Sequence, residues 1–117
     1  QGTEFSTRAA NAMYCVAAAD GTAAMPFMQA MFANQPAEGT AGLSDDQILA
    51  IAAAAGVTGI DTCVTDGEYK GFVTAKTEET PLAPGAQTIG TPTIAVNGET
   101  IANSTLPDPA NLASLFQ

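Results

Sequence analysis

The chain has 117 residues, a hydrophobic fraction of 46% and a formal net charge of −9. This length favours one domain with a modest core, because much of the hydrophobic fraction is alanine, which buries little surface. Only Arg8, Lys70 and Lys76 are basic, so the charge argues against binding to nucleic acids or to anionic membranes. No apolar run approaches the roughly 20 residues that span a bilayer, so we expect no membrane insertion by this chain.

The absence of histidine from the sequence excludes several kinds of site. Ser-His-Asp and Cys-His catalytic sites need an imidazole, which is also the commonest metal ligand. The two cysteines, Cys15 and Cys63, do not make a zinc site, although they could pair with each other. We therefore expect neither a metal nor a cofactor.

The first helix is predicted to follow a short N-terminal lead-in. Residues 1–5 read as extended chain, with Phe5 at the end of a strand. Ser6 is a preferred N-cap residue, and alanine-dense residues 7–19 have apolar side chains at helical spacing. Gly21 then ends the helix, as glycine commonly does.

A second helix is predicted over residues 22–34. Proline is tolerated in the first turn of a helix, so Pro26 would allow a start as late as Met25. One face of this helix carries large apolar side chains, which we interpret as core, with a promiscuous methionine-rich binding surface as the alternative. These side chains are Phe27, Met28, Met31 and Phe32.

The start of the third helix carries the clearest signal in the sequence. Ser44 is the predicted N-cap, and Gln47 stands three residues later, as in a capping box. Asp45 and Asp46 occupy the first turn, where carboxylates favour the positive end of the helix dipole, and we interpret them in this way rather than as a catalytic pair. Gly56 is expected to end this helix.

The remaining chain is predicted to hold two short helices, a β-hairpin and a last helix. The helices cover residues 60–65 and 68–77, and residues 78–89 connect them to the hairpin. Thr93 to Val96 is β-prone, Asn97-Gly98 suits a two-residue type I′ turn, and residues 99–101 form the return strand. Asp108 caps the last helix, with Pro109 at its first position, and its inward-pointing side chains are expected to be Leu112, Leu115 and Phe116.

These elements predict an α+β fold in which the helices are segregated from a small sheet. A lone hairpin is marginal in water. We therefore expect helices, strands from a preceding segment or strands from a second copy of the chain to cover or extend it.

Residues Gly90-Thr91-Pro92-Thr93, followed by Val96-Asn97-Gly98, resemble the cis-proline loop of thioredoxin-fold proteins, in particular of the DsbA-like branch. The order of a helical block, a hairpin and a last helix is also that of the DsbA-like branch. Three further segments resemble the helical insertion of DsbA-like proteins of actinobacteria: residues 6–12, 32–36 and 43–47.

The resemblance implies a single, partial DsbA-like domain over residues 1–117. Residues 6–80 would be the helical insertion, and residues 89–117 the ββα end of the thioredoxin fold. The Cys-x-x-Cys active site of the family is absent from this sequence and is expected, with its strand, before Gln1. The chain would then be the C-terminal part of an exported thiol–disulfide oxidoreductase, secreted or anchored to a membrane through another segment, and redox-inactive by itself.

The resemblance also assigns roles to four residues. Thr91 and Pro92 would bind extended protein or peptide substrates. Cys15 and Cys63 have two interpretations, either as buried reduced thiols that act as small hydrophobic residues or as a structural disulfide. The resemblance favours the disulfide, which would persist in an exported protein.

Two other functions stay open at this point. One is a redox-inert thioredoxin-like module that binds peptides or proteins outside the cytoplasm. The other is a structural helical domain that self-associates through the exposed edge of its hairpin.

Overall fold

The computed structural model describes residues 4–116. These residues fall into two compact units, divided between Thr77 and Glu78. Helices come first and a small antiparallel sheet follows, so the predicted α+β order is confirmed. Whether the chain forms the single domain expected from the resemblance stays a prediction. The elements are α1 (Phe5–Ala19), α2 (Ala24–Ala33), α3 (Asp45–Ala54), α4 (Asp61–Asp66), α5 (Lys70–Glu78), β1 (Ile94–Val96), β2 (Glu99–Ile101) and the 3-10 helices Gly21–Ala23, Asn103–Thr105 and Pro109–Phe116.

Helix α1 begins earlier than predicted. Phe5 is its first residue and Glu4 its N-cap, without a side-chain cap bond, so the predictions of a strand end at Phe5 and a cap at Ser6 are wrong. The Phe5 ring lies so close to Gly42 (φ 74°) that a Cβ on that glycine would overlap it. Packing across the unit therefore outweighs the local preference for a serine cap. Residues 1–3 of the expected lead-in lie outside the described residues.

A polar turn joins α1 to α2. The backbone N–H and the hydroxyl of Thr22 both donate to Oδ1 of Asp20, at 2.9 and 2.6 Å. These hydrogen bonds favour the carboxylate and hold the pKa of Asp20 below its usual value. The 3-10 helix Gly21–Ala23 then leads into α2, and Pro26 falls in the first turn of α2, as predicted.

The core of the first unit lies among α1, α2, α3 and α4. Phe27 is the largest fully buried side chain of this core, and Met31, on the same helix, is partly buried and packs against the core. Phe32 is 67% exposed, so the predicted apolar face of α2 is only partly core. The buried core residues are Ala12, Cys15, Val16, Ala23, Phe27, Ile48, Ala52, Val57, Ile60 and Val64.

The predicted capping box of α3 is confirmed. The Gln47 backbone N–H donates to Oγ of Ser44 at 3.2 Å, and the Ser44 backbone N–H donates to Oε1 of Gln47 at 2.9 Å. Arg8 of α1 also holds this helix start, donating to Oδ1 of Asp45 at 2.9 Å and to the Ala41 carbonyl at 2.9 Å. Hydrogen bonds within the capping box and from Arg8 of α1 therefore both stabilise the start of α3.

Helices α4 and α5 begin slightly later than predicted. Gly67, with a φ of 65°, ends α4 in the left-handed conformation that glycine adopts without strain.

Aromatic side chains form a contact between α1 and the start of α5. The ring centroid of Tyr14 lies 5.8 Å from that of Tyr69 and 5.0 Å from that of Phe72.

The second unit contains the predicted hairpin. Strands β1 and β2 pair antiparallel, with Ile94 opposite Ile101 and Val96 opposite Glu99. The turn residues Asn97 and Gly98 have φ values of 52° and 85°. Positive φ at both positions is what a type I′ turn requires.

The last helix differs from its prediction in type and in burial. Asp108 does cap it, accepting from the Ala110 N–H at 2.9 Å, but the helix is 3-10 throughout. Leu112 is exposed and Phe116 is 74% exposed, whereas Leu115 is half-buried. The prediction that all three point inward is wrong, because two strands of three residues offer little apolar surface to cover.

None of the helices found between residues 4 and 116 has the length and apolar character needed to span a membrane.

Replacing Ser44 with Ala should lower the free energy of unfolding by about 0.5–2 kcal/mol, since the N–H of Gln47 loses its acceptor. Ser6→Ala is the matched control, because Ser6 lies inside the first turn of α1 and should change stability by less than about 0.5 kcal/mol. Urea denaturation measures both variants. A larger loss for Ser6→Ala than for Ser44→Ala would contradict the observed helix starts.

Candidate functional site

The sequence-predicted site residues lie in both units. Cys15 and Cys63 belong to the first unit, in α1 and α4, and the structure brings them together. Thr91 and Pro92 belong to the second unit and lie just before β1, from which Thr93 separates them.

The loop before β1 is exposed and locally ordered by one hydrogen bond. The side chains of Thr91 and Pro92 are exposed, and the peptide bond between them is cis. The Thr93 hydroxyl donates to the Gly90 carbonyl at 2.6 Å, which closes the loop across the two residues. Neither Thr91 nor Pro92 carries a thiol, a carboxylate or an amine on its side chain. The role of this loop in substrate binding stays a prediction.

Cys15 and Cys63 form a disulfide that joins α1 to α4, with the two Cα atoms 5.9 Å apart. Cys15 is buried and Cys63 is half-buried. The alternative of two reduced thiols therefore does not describe this structure. Thiol–disulfide exchange requires a thiolate that reaches the partner sulfur, and this chain has no free cysteine.

A buried amide, Asn11, lies one helical turn before Cys15 and holds the same junction. Its Nδ2 donates to the carbonyls of Cys63 and Val64, at 3.3 and 3.4 Å. Its Oδ1 accepts from the Tyr69 N–H at 2.7 Å. Both ends of the amide are thus satisfied inside the protein, as burial of a polar group requires.

Sequence reasoning missed Asn11. The available signal was a lone polar side chain four residues before Cys15, on the helix face that also carries Ala12 and Val16. This signal marks a buried polar group but does not say which groups pair with it.

No group of three or more His, Cys, Asp or Glu side chains within residues 4–116 is placed to hold a metal ion.

A family model described as Thioredoxin matches residues 1–112 of the chain. The chain belongs to the thioredoxin family. No curated protein and no solved structure matches the sequence significantly. The redox chemistry associated with the thioredoxin family uses paired cysteines, and the disulfide at the α1–α4 junction is the one cysteine pair that this member carries.

Replacing both Cys15 and Cys63 with Ala should lower the free energy of unfolding by about 4 kcal/mol in the chain-entropy model, for a sequence separation of 48 residues. Thermal unfolding with and without reductant measures this loss. Reductant should lower the wild-type midpoint and leave the double variant unchanged, which controls for other effects of the reductant. Equal wild-type midpoints in both conditions would contradict a stabilising disulfide.

Replacing Asn11 with Ala should destabilise the protein by about 1–3 kcal/mol, because the part-buried Tyr69 N–H loses its acceptor and the carbonyls of Cys63 and Val64 lose their donor. Amide hydrogen exchange at Tyr69 should also become faster. Asn34→Ala is the control, since the Asn34 side chain also donates to a backbone carbonyl, that of Ala30, but on the surface. Equal losses of stability in the two variants would show that burial of Asn11 has no special importance.

Proposed function

We propose that this chain is the helical and C-terminal portion of an exported, DsbA-like thiol–disulfide oxidoreductase of the actinobacterial type. The observation that carries the proposal is the thioredoxin family match over residues 1–112 in a sequence without any Cys-x-x-Cys. The segments that resemble the DsbA-like insertion support the finer assignment.

In the proposed reaction, a thiolate attacks a disulfide sulfur and a mixed disulfide forms. The second thiol of the pair then resolves it and completes the exchange. This chemistry needs two cysteines one helical turn apart, at least one of them with a lowered pKa. Cys15 and Cys63 do not meet this requirement, since they are bonded to each other across two helices. The proposal therefore places the reactive pair before Gln1 and predicts no redox activity for this chain by itself.

Substrate binding is the part that the proposal assigns to the second unit. An exposed loop at the start of β1 can offer backbone groups to an extended polypeptide, as in other cases of strand addition. Thr91 and Pro92 are the residues proposed to contact it. We also propose that another strand extends the two-stranded sheet. This strand would come from a segment before Gln1 or from a second copy of the chain.

The proposed location is outside the cytoplasm, either secreted or anchored through a segment that is not in this chain. The Cys15–Cys63 disulfide supports this location, because structural disulfides persist in oxidising compartments and are rare in the cytosol.

The test is to determine the reading frame upstream of Gln1 and to assay the longer product for thiol-dependent insulin reduction, with the present chain as the control. We expect a Cys-x-x-Cys upstream, activity in the longer product, and none in the present chain. A reading frame without such a pair, with no activity, would overturn the oxidoreductase proposal and favour the redox-inert binding module. Activity of the present chain that is lost in Cys15→Ala would contradict the structural role of its disulfide.

A further inference from the structure

An apolar groove of about 620 Å³ runs along the first unit, lined by α1, α2 and the loop over residues 35–40. Its volume lies within the range of about 300–1,000 Å³ that is typical of protein ligand sites. The large side chains that line it are Phe5, Met13, Phe27, Met28, Met31 and Phe32.

The lining of this groove is adaptable. Methionine is unbranched and polarizable, so Met13, Met28 and Met31 can repack around apolar side chains of different shape. Phe32 lies at the groove with most of its ring in solvent. Phenylalanine and methionine are both enriched at protein interfaces relative to the rest of the surface, so this combination suits binding of another protein.

The negative charge at the groove favours a positively charged binding partner. Glu38 is the only charged side chain among the described residues that line it, and Glu38 has no ion pair or hydrogen bond within residues 4–116. Of the basic residues, Arg8 is paired with Asp45 and Lys70 with Glu4, and none lines the groove. With a net charge of −9 on the chain, charge disfavours a second copy at this groove and favours a basic partner.

We propose that this groove binds a basic amphipathic helix of a partner protein. The apolar face of the partner helix packs against the methionines and Phe32, and a lysine or arginine of the partner pairs with Glu38. Grooves between helices commonly take a helix in this way. Binding requires no thiol, so the proposal does not rest on the oxidoreductase assignment.

The first experiment measures binding of two synthetic probes to the full chain by fluorescence anisotropy. The probes are amphipathic helical peptides of roughly 18 residues, about five turns, one made of leucine and lysine and the other of leucine and glutamate. We expect saturable binding of the basic probe, at least about tenfold tighter than that of the acidic probe, and weaker at high salt. Equal affinities, or no binding of the basic probe, would overturn the proposal.

Paired variants separate binding in the groove from general attraction to an acidic protein. Phe32→Gln should weaken binding of the basic probe by about tenfold or more. Met25→Gln is the matched control, because Met25 is also exposed on α2 but does not line the groove. Both residues are exposed, so circular dichroism should report unchanged helix content. Equal weakening by the two variants would overturn the proposal.

A second pair of variants replaces a glutamate with lysine, once in the groove and once outside it. Glu38→Lys should weaken binding by about three- to tenfold, as expected for loss and reversal of one rim ion pair. Glu68→Lys makes the same change in net charge at an exposed position outside the groove and should have a smaller effect. An equal effect of the two variants would show that the groove is not the binding site. Sedimentation tests the competing occupant of the groove, because a dimer that Phe32→Gln dissociates would assign the groove to a second copy and overturn the proposal.

Discussion

The junction between α1 and α4 is the constraint on which the helical unit depends. Its helices are dense in alanine, so each residue buries little apolar surface and contributes little hydrophobic stabilisation. The Cys15–Cys63 disulfide compensates by restricting the unfolded chain. The buried side chain of Asn11 adds three hydrogen bonds beside it, and these fix the position of the α4–α5 turn on α1. The disulfide and the buried amide thus provide, at one junction, stabilisation that larger apolar side chains provide in other cores.

The same junction limits the chemistry of the chain. Both cysteines are bonded to each other between two helices, so the structure of this thioredoxin-family member contains no free thiol. The two surfaces to which we assign binding by proposal are the exposed loop at Thr91 and Pro92 and the apolar groove of the first unit. The lack of a free thiol in the structure agrees with the proposal that the reactive thiols lie outside the chain.

Features set by neighbouring residues were predictable from local sequence patterns. Of the long-range contacts, the Cys15–Cys63 pairing was anticipated, and only from the family resemblance. The capping box at Ser44 and the turn at Asn97-Gly98 depend on residues within one turn, and both were predicted correctly. The start of α1 was misplaced because Phe5 packs against a glycine far along the chain. Burial of Phe116 was overestimated because periodicity shows an apolar face but not what covers it. The partners of Asn11 lie 52, 53 and 58 residues away, beyond any local pattern.

The measurement that tests this account most directly is the rate at which the Cys15–Cys63 disulfide is reduced in the folded protein. Dithiothreitol would be added under native conditions, alkylation and mass spectrometry would follow the free thiols, and circular dichroism would follow the helices in parallel. A structural disulfide at a buried junction predicts that thiols appear no faster than the protein unfolds. Rapid reduction with the helices intact would contradict the account, because the disulfide would then be accessible to exchange and not needed to hold α1 against α4.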